Sequence, residues 1–487
     1  MEEVDYTVVK NKIIGGVFAL TTRTFILQII AFVSTFVLTI LLSPSIFGIF
    51  FIVSAVISFL SYFSDIGLAA ALIQKPKEPT REELVTVFTT QQILVGSIII
   101  VAFILSPTFA TLYKLEGDGL FLFQALLISF FLSSLKTIPS VLLERKLEFR
   151  LLIIPQLLET SIFYFIAIIF ALKGTGIASF AWAAIARGII GVITIYLISP
   201  WQISIGISVS VFKRLLSFGL PFQANSILAL IKDDLMTIFL GKILPFAQVG
   251  YIGWAKKWAE APLRLIMDSV IRVTFPAYAR LQGNKEILGR AIEKSLFFLA
   301  LLTFSTTALL VLFIRPMIYL IPKYIKWEPA IFSFYLFAFA SIVASFSSPI
   351  VNALNAIGKI KTTLILMIMW TVLTWILVPI MVIFFGFNGV AVAAFVISFT
   401  GLLPLSIMRR FVKFKIFSPI YKSFIATLIM AIPTYLLLSL TNNLPFVIIS
   451  FFVAVSIYGL VAWFWMREEI LPYIPQAYIR KIKNSLI

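Results

Sequence analysis

The sequence predicts an all-α membrane protein of about 14 transmembrane helices, and three observations carry that prediction. Its apolar runs are roughly 20–30 residues long, enough to cross a bilayer as helix, whereas a barrel strand needs only about 9–11. Charged residues are 12% of the 487, against about a quarter in a soluble domain, and mean hydropathy is +1.07. The bases that remain collect in alternate connections, as in polytopic proteins.

The polar start, Met1 to Lys12, leads into an apolar stretch too long for a signal-peptide core, so the first span, 13–42, is read as retained. Pro44 and Gly48 open the second, 46–73. Charge clusters and Pro, Gly and Asn punctuation place the next four at 84–112, 120–143, 151–172 and 176–199. Trp201 to Arg214 is the longest connection. Its alternating Ile203, Ile205, Ile207, Val209 and Val211 mark an extended or interfacial segment. Six more spans follow at 214–241, 246–279, 294–321, 330–357, 361–385 and 388–411, then a closing pair at 419–440 and 444–466. Every connection is short, so no soluble insertion is expected.

A repeat divides the chain. Leu42, Ser43, Pro44, Phe47 and Gly48 are echoed about 200 residues later by Leu244, Pro245, Val249 and Gly250, with Asp65 and Asp268 following at similar distances. Gly174, Gly176, Ile177 and Ala178 find a second echo in Gly386, Gly389, Val390 and Ala391. Two pseudo-symmetric six-helix lobes, 1–213 and 214–415, plus an appended pair and tail, 416–487, are the simplest account; chance coincidence of helix turns is the other. Repeated bundles bind substrate at the repeat interface and alternate access, which favours transport over a membrane enzyme.

Cysteine and histidine are both absent. That excludes disulfides, thiolate nucleophiles and iron–sulfur ligation, makes a transition-metal site improbable, and leaves any proton coupling to carboxylates. No cofactor or metal is expected. The formal charge of +18 is a topology signal rather than a nucleic-acid footprint. With the N-terminus inside, only Lys114, Lys173, Lys242, Arg315, Lys323 and Lys326 fall in outer connections, so both termini are expected in the cytoplasm.

Charges inside spans cost roughly 2.5–3.5 kcal/mol each at a helix centre and so mark candidate sites. In the eighth span Lys257, Glu260, Arg264, Asp268 and Arg272 fall within an arc of roughly 120°, with Trp254 at its border. The three- and four-residue spacings allow either an internal ion-pair ladder or a wet cationic wall. Lys232, Asp233 and Asp234 are consecutive and spread around the seventh span. Arg23 and Arg187 are lone bases; Lys136, one turn before Pro139, is expected to snorkel to the interface. Arg23, Arg187, Lys232, Lys257, Arg264, Arg272 and Trp254 are the candidate substrate-cavity residues. Asp65, Glu159, Asp233, Asp234, Glu260 and Asp268 are the candidates for ion coupling. Excess Arg and Lys suits a phosphate or pyrophosphate head group, and Trp254 and Trp258 would stack on sugar rings or else belong to the interfacial belt.

Three segments, PSVLLERKLEFR (Pro139 to Arg150), SFGLP (Ser217 to Pro221) and the run from Val249 to Gln282, resemble the polysaccharide flippases of the multidrug/oligosaccharidyl-lipid/polysaccharide exporter superfamily. The branch is the one resembling colanic acid and O-antigen exporters. The resemblance implies translocation of undecaprenyl-pyrophosphate-linked oligosaccharide to the outer leaflet by alternating access, for cell-surface polysaccharide and lipopolysaccharide. It also implies that Arg23, Lys232, Lys257, Arg264 and Arg272 fall on basic cavity positions, and it leaves a proton or sodium gradient as the drive. Expected partners are the lipid-linked oligosaccharide, membrane lipid, a polysaccharide polymerase and glycosyltransferases, with no nucleic acid, around a monomeric inner-membrane transporter. A multidrug or cation exporter would have an acidic cavity and usually twelve spans. A lipid II flippase is not separated by charge, and a membrane glycosyltransferase or polymerase would carry a large outer loop.

Overall fold

The computed structural model describes residues 6–75, 77–224, 227–440 and 443–471, and among them the regular structure is helical throughout. The chain divides into two compact units, Met1–Gly253 with Trp370–Trp375, and Trp254–Met369 with Ile376–Ile487. Among the described residues, eleven helical stretches are long and apolar enough to cross a membrane. One of them, Ile360–Arg409, runs 50 residues, about 75 Å as helix against a hydrocarbon core of about 30 Å. It breaks at Gly386, where φ is +57°, which gives it room for two crossings. With the charged helices over 209–281 added, about 14 crossings is compatible with what is seen. The chain is a multi-pass, all-α membrane protein.

The first unit opens with α1 (Tyr6–Leu41), α2 (Pro44–Tyr62), α3 (Leu68–Gln74) and α4 (Arg81–Tyr113). Pro44 sits in the first turn of α2, where its missing N–H costs nothing. The sequence reads 46–73 as one span, but α2 and α3 are separate. Ile66 and Gly67 adopt positive φ, and the Asp65 carboxylate accepts from the Ala69 amide at 3.0 Å, restarting the helix. α4 begins with a capping box in which Thr80 and Glu83 exchange hydrogen bonds.

Next come α5 (Gly117–Leu135), α6 (Thr137–Arg145), α7 (Phe149–Leu172) and α8 (Ala178–Ile198). α7 packs most extensively on α8 and α1, and α5 on α8. Residues 201–208 lie outside any helix, and helix resumes at Val209, earlier than the alternating pattern suggests. α9 (Val209–Ala224) and α10 (Ile227–Leu230) lead to a π-helical turn, Ile231–Leu235, then α11 (Met236–Ile243) and the start of α12 (Phe246–Leu281). Val211 and Leu215 of α9 share a buried cluster with Leu68, Leu72, Val87, Phe88, Ile138 and Val141.

The second unit holds the rest of α12, then α13 (Lys285–Leu320), a 3₁₀ turn (Ile325–Ala330), α14 (Ile331–Ala356) and α15 (Ile360–Phe385), the last contributing Trp370–Trp375 to the first unit. α16 (Gly389–Ser398), α17 (Leu403–Arg409), α18 (Phe417–Leu440), α19 (Leu444–Trp465) and α20 (Arg467–Ile470) complete it. Asn284 and Asn443 cap α13 and α19 through their side-chain oxygens.

Candidate functional site

Within the first unit a cavity of about 350 Å³ is lined by Leu27 of α1, Lys136, Ser140 of α6, five residues of α7 including Gln156, Glu159 and Thr160, and Arg187 and Ile195 of α8. Lys136 is the single residue between α5 and α6, and that break brings its ammonium into the bundle. Its Nζ lies 2.6 Å from Glu159 Oε1, so it does not snorkel to the interface as the sequence suggests. The carboxylate attracts it more strongly than the headgroup boundary does.

Glu159 is 7% exposed. Its second oxygen, Oε2, is 3.7 Å from Arg187 Nε, so one buried carboxylate holds two cations. A buried charge persists only when paired. Space for it comes from Gly191, one turn after Arg187: a Cβ there would lie 2.3 Å from Glu159 Oε1. Gln156 adds a buried Oε1 without a hydrogen-bond donor among the described residues. The wall therefore carries one more positive charge than negative, together with an unfilled acceptor. That is a site suited to an anion bearing hydroxyl groups.

The remaining candidates are placed as follows. Lys232 and Asp233 pair at 3.7 Å on the π-helical turn, and Asp234 accepts from Ser58 Oγ of α2 at 2.9 Å. Such turns recur at functional sites. Here the carbonyl of Ile231, at its first residue, accepts from the indole of Trp375 at 3.0 Å. Asp65 caps α3. In the second unit Arg264 pairs with Glu260 at 2.7 Å, one turn apart on α12, and Lys257 is exposed. The side chains of Arg23, Asp268 and Arg272 lie outside the described residues.

Trp254 is a correction. It is 2% exposed, stacks on Trp327 with centroids 5.4 Å apart, and donates its indole N–H to Tyr324 Oη at 3.2 Å. Trp258 is buried beside it. Both are core residues of the second unit with no face open to a sugar ring.

Sequence reasoning misses two polar clusters of the first unit. Glu83 is 1% exposed and bridges Lys75 at 2.7 Å and Arg214 at 2.6 Å. Arg145, within the PSVLLERKLEFR segment, donates to the carbonyls of Leu72, Ile73, Lys75 and Lys77. Glu83 had a local signal, the capping box Thr80-x-x-Glu83; Arg145 had none beyond its place in that segment.

A solved structure titled lipid II flippase MurJ, inward closed conformation, superposes with a TM-score of 0.73 over 93% of this chain and 99% of that one, at 19% identity. A multidrug resistance MATE family transporter of the MOP superfamily, inward-facing, gives 0.64 over 79% and 95%, at 16% identity. These likenesses show the fold. The succinoglycan biosynthesis transport protein ExoT of Rhizobium meliloti (strain 1021) is 24% identical over 59% of this chain and 57% of its own length. The lipopolysaccharide biosynthesis protein WzxC of Escherichia coli (strain K12) is 23% identical over 64% of each. The match thus spans less than two thirds of either relative. The model of the polysaccharide biosynthesis protein family matches residues 37–331, and the chain belongs to that family.

Proposed function

We propose that the chain is a flippase that carries a lipid-linked, undecaprenyl-pyrophosphate oligosaccharide across the cytoplasmic membrane by alternating access, for export of cell-surface polysaccharide. One observation supports this reading above the others: the cavity of the first unit, where Lys136 and Arg187 share the single carboxylate of Glu159. A pyrophosphate offers the same bases more oxygens than Glu159 does, and the Arg187 guanidinium can grip two of them. Carboxylate and head group therefore compete for the same cations. Occupation by the head group draws Lys136 and Arg187 away from Glu159, and its departure returns them; on this reading a proton or sodium gradient is the drive.

On this reading the Lys- and Arg-rich loops and both ends of the chain face the cytoplasm. The transporter works as a monomer alongside a polysaccharide polymerase and glycosyltransferases. The division into lobes 1–213 and 214–415 with an appended 416–487 belongs to the same proposal.

The test is reconstitution of the full chain in vesicles with a fluorescent lipid-linked oligosaccharide, lipid II and an organic cation in separate arms. The first should become accessible to an external quencher, faster when a proton or a sodium gradient is imposed. Movement of the organic cation alone would overturn the reading. Movement of lipid II alone would keep the flippase and change its cargo.

A further inference from the structure

Residues 201–208 lie outside any helix, and from Ile203 to Ser208 their exposure alternates along the chain. Ile203, Ile205 and Ile207 project outward, Ile205 at 87% exposure. Ser204, Gly206 and Ser208 turn inward against the first turns of α4. There the Gly206 amide donates to Thr89 Oγ1 at 3.0 Å, the Ser208 amide to Thr86 Oγ1 at 3.1 Å, and Arg81 donates to Ser204 Oγ at 3.2 Å. The segment is inside out for a chain in water, with polar atoms toward the protein and isoleucines away from it.

Three features identify the surroundings. The segment follows directly on α8, a helix long and apolar enough to cross a membrane, whose Leu197, three residues before Pro200, is 79% exposed. The inward amides are satisfied by side-chain hydroxyls, as apolar depth requires of backbone donors. Trp201, which opens the segment, packs edge-on against Phe88 and donates its indole N–H to Tyr196 Oη at 3.2 Å, an aromatic pair of the kind that settles at headgroup level. Arg81 and the exposed Lys213 flank the stripe and match anionic headgroups.

We infer that residues 201–209 are a lipid-facing strap: Ile203, Ile205 and Ile207 enter the hydrocarbon–headgroup boundary of the leaflet nearest the basic loops, while Arg81, Thr86 and Thr89 bind the strap's polar side to α4. The strap ends where α9 begins, so it seats the start of α9 at a fixed depth. This inference stands apart from the cargo and coupling mechanism proposed above.

Because the chain has no cysteine, single introduced thiols report cleanly. Spin labels at Ile205→Cys, Ile207→Cys and, as an aqueous control, the exposed Lys146→Cys would be compared in vesicles containing phosphatidylglycerol. At 205 and 207, collisions with dissolved oxygen should exceed those with a water-soluble nickel chelate several-fold, with the reverse at 146. In the double variant Thr86→Ala and Thr89→Ala, the label at 205 should become mobile and more open to the chelate. A label at 205 as open to the chelate as that at 146 would overturn the inference. So would shielding from both reagents, which would mean that a protein surface covers the stripe.

Discussion

Gly48 of α2 and Gly250 of α12 meet in a reciprocal contact. A Cβ on Gly48 would lie 1.9 Å from the carbonyl oxygen of Phe246, and one on Gly250 would lie 2.0 Å from that of Pro44. The same offset in sequence separates Pro44 from Phe246 and Gly48 from Gly250, so each strand of the repeat supplies the carbonyl that the other's glycine admits. That is the self-complementary pattern of a two-fold joint. It gives the internal repeat a packing reason: both helices must approach backbone to backbone, and only glycine permits it.

Alanine at either position therefore has to push two helices apart. Gly48→Ala or Gly250→Ala should destabilise by about 1–3 kcal/mol or more, lowering the thermal midpoint in detergent by several degrees. Gly96→Ala and Gly459→Ala, whose added Cβ meets nothing within 4 Å, should hold or raise it, since Ala is favoured over Gly in helices by about 1 kcal/mol. Equal effects at all four positions would refute the joint.

Glu159 makes a different prediction, because its removal strands a cation. Glu159→Gln leaves Lys136 without its carboxylate, and breaking a buried pair costs about 3–5 kcal/mol, toward the lower figure where water reaches the lysine. Replacing the pair together, as Lys136→Met with Glu159→Leu, should recover most of that stability. Flipping of lipid-linked oligosaccharide should stay low in the double variant. Recovery of both stability and flipping, measured side by side, would make the pair structural alone.

Part of this was legible in the sequence and part was not, for physical reasons. Apolar run length announces the crossings, and the echo of Leu42 to Gly48 in Leu244 to Gly250 points to the joint, because both are local patterns. The partner of Glu159 was hidden: Lys136 is 23 residues away along the chain, in the break between α5 and α6, so no spacing rule links them. Trp254 was misread for the converse reason. Its helical position beside charges is visible, but its burial depends on Trp327 and Tyr324, which arrive from a later turn of the fold. The charged stripe of α12 shows how spacing alone leaves two readings open, since Glu260 and Arg264 pair within one helix and still flank the exposed Lys257.

At Glu83 the expected ranking of two variants separates a buried charge from a surface one. Glu83→Ala removes the carboxylate half of the capping box, leaving the Thr80 hydroxyl on the residue 83 amide, and strands the partly exposed Lys75 and the exposed Arg214, at a cost of about 3 kcal/mol, the lower end for a broken buried pair. Arg214→Ala removes a largely exposed base while Lys75 keeps its partner, and should cost at most about 1 kcal/mol. Thermal melts of the two variants decide it; a larger loss in Arg214→Ala would show that α9, not α4, depends on the bridge.

Arg145 offers the sharpest contrast between charge and shape. Its guanidinium spreads over four carbonyls, with Nη1 reaching Leu72 at 2.6 Å, Ile73 at 3.1 Å and Lys75 at 2.7 Å, and Nη2 reaching Lys77 at 2.8 Å. Carbonyls at a helix end have no partner within the helix, and α3, seven residues long, is too short to be stable by itself. Lysine preserves the charge but is a point donor, unable to span the fork. Arg145→Lys should therefore loosen the last turn of α3 and Lys75 after it, seen as faster amide exchange and earlier proteolytic cleavage there, with α5 and α7 unchanged. If Arg145→Lys protects that helix end as well as the parent does, attraction to the helix end suffices and the four-fold grip is incidental.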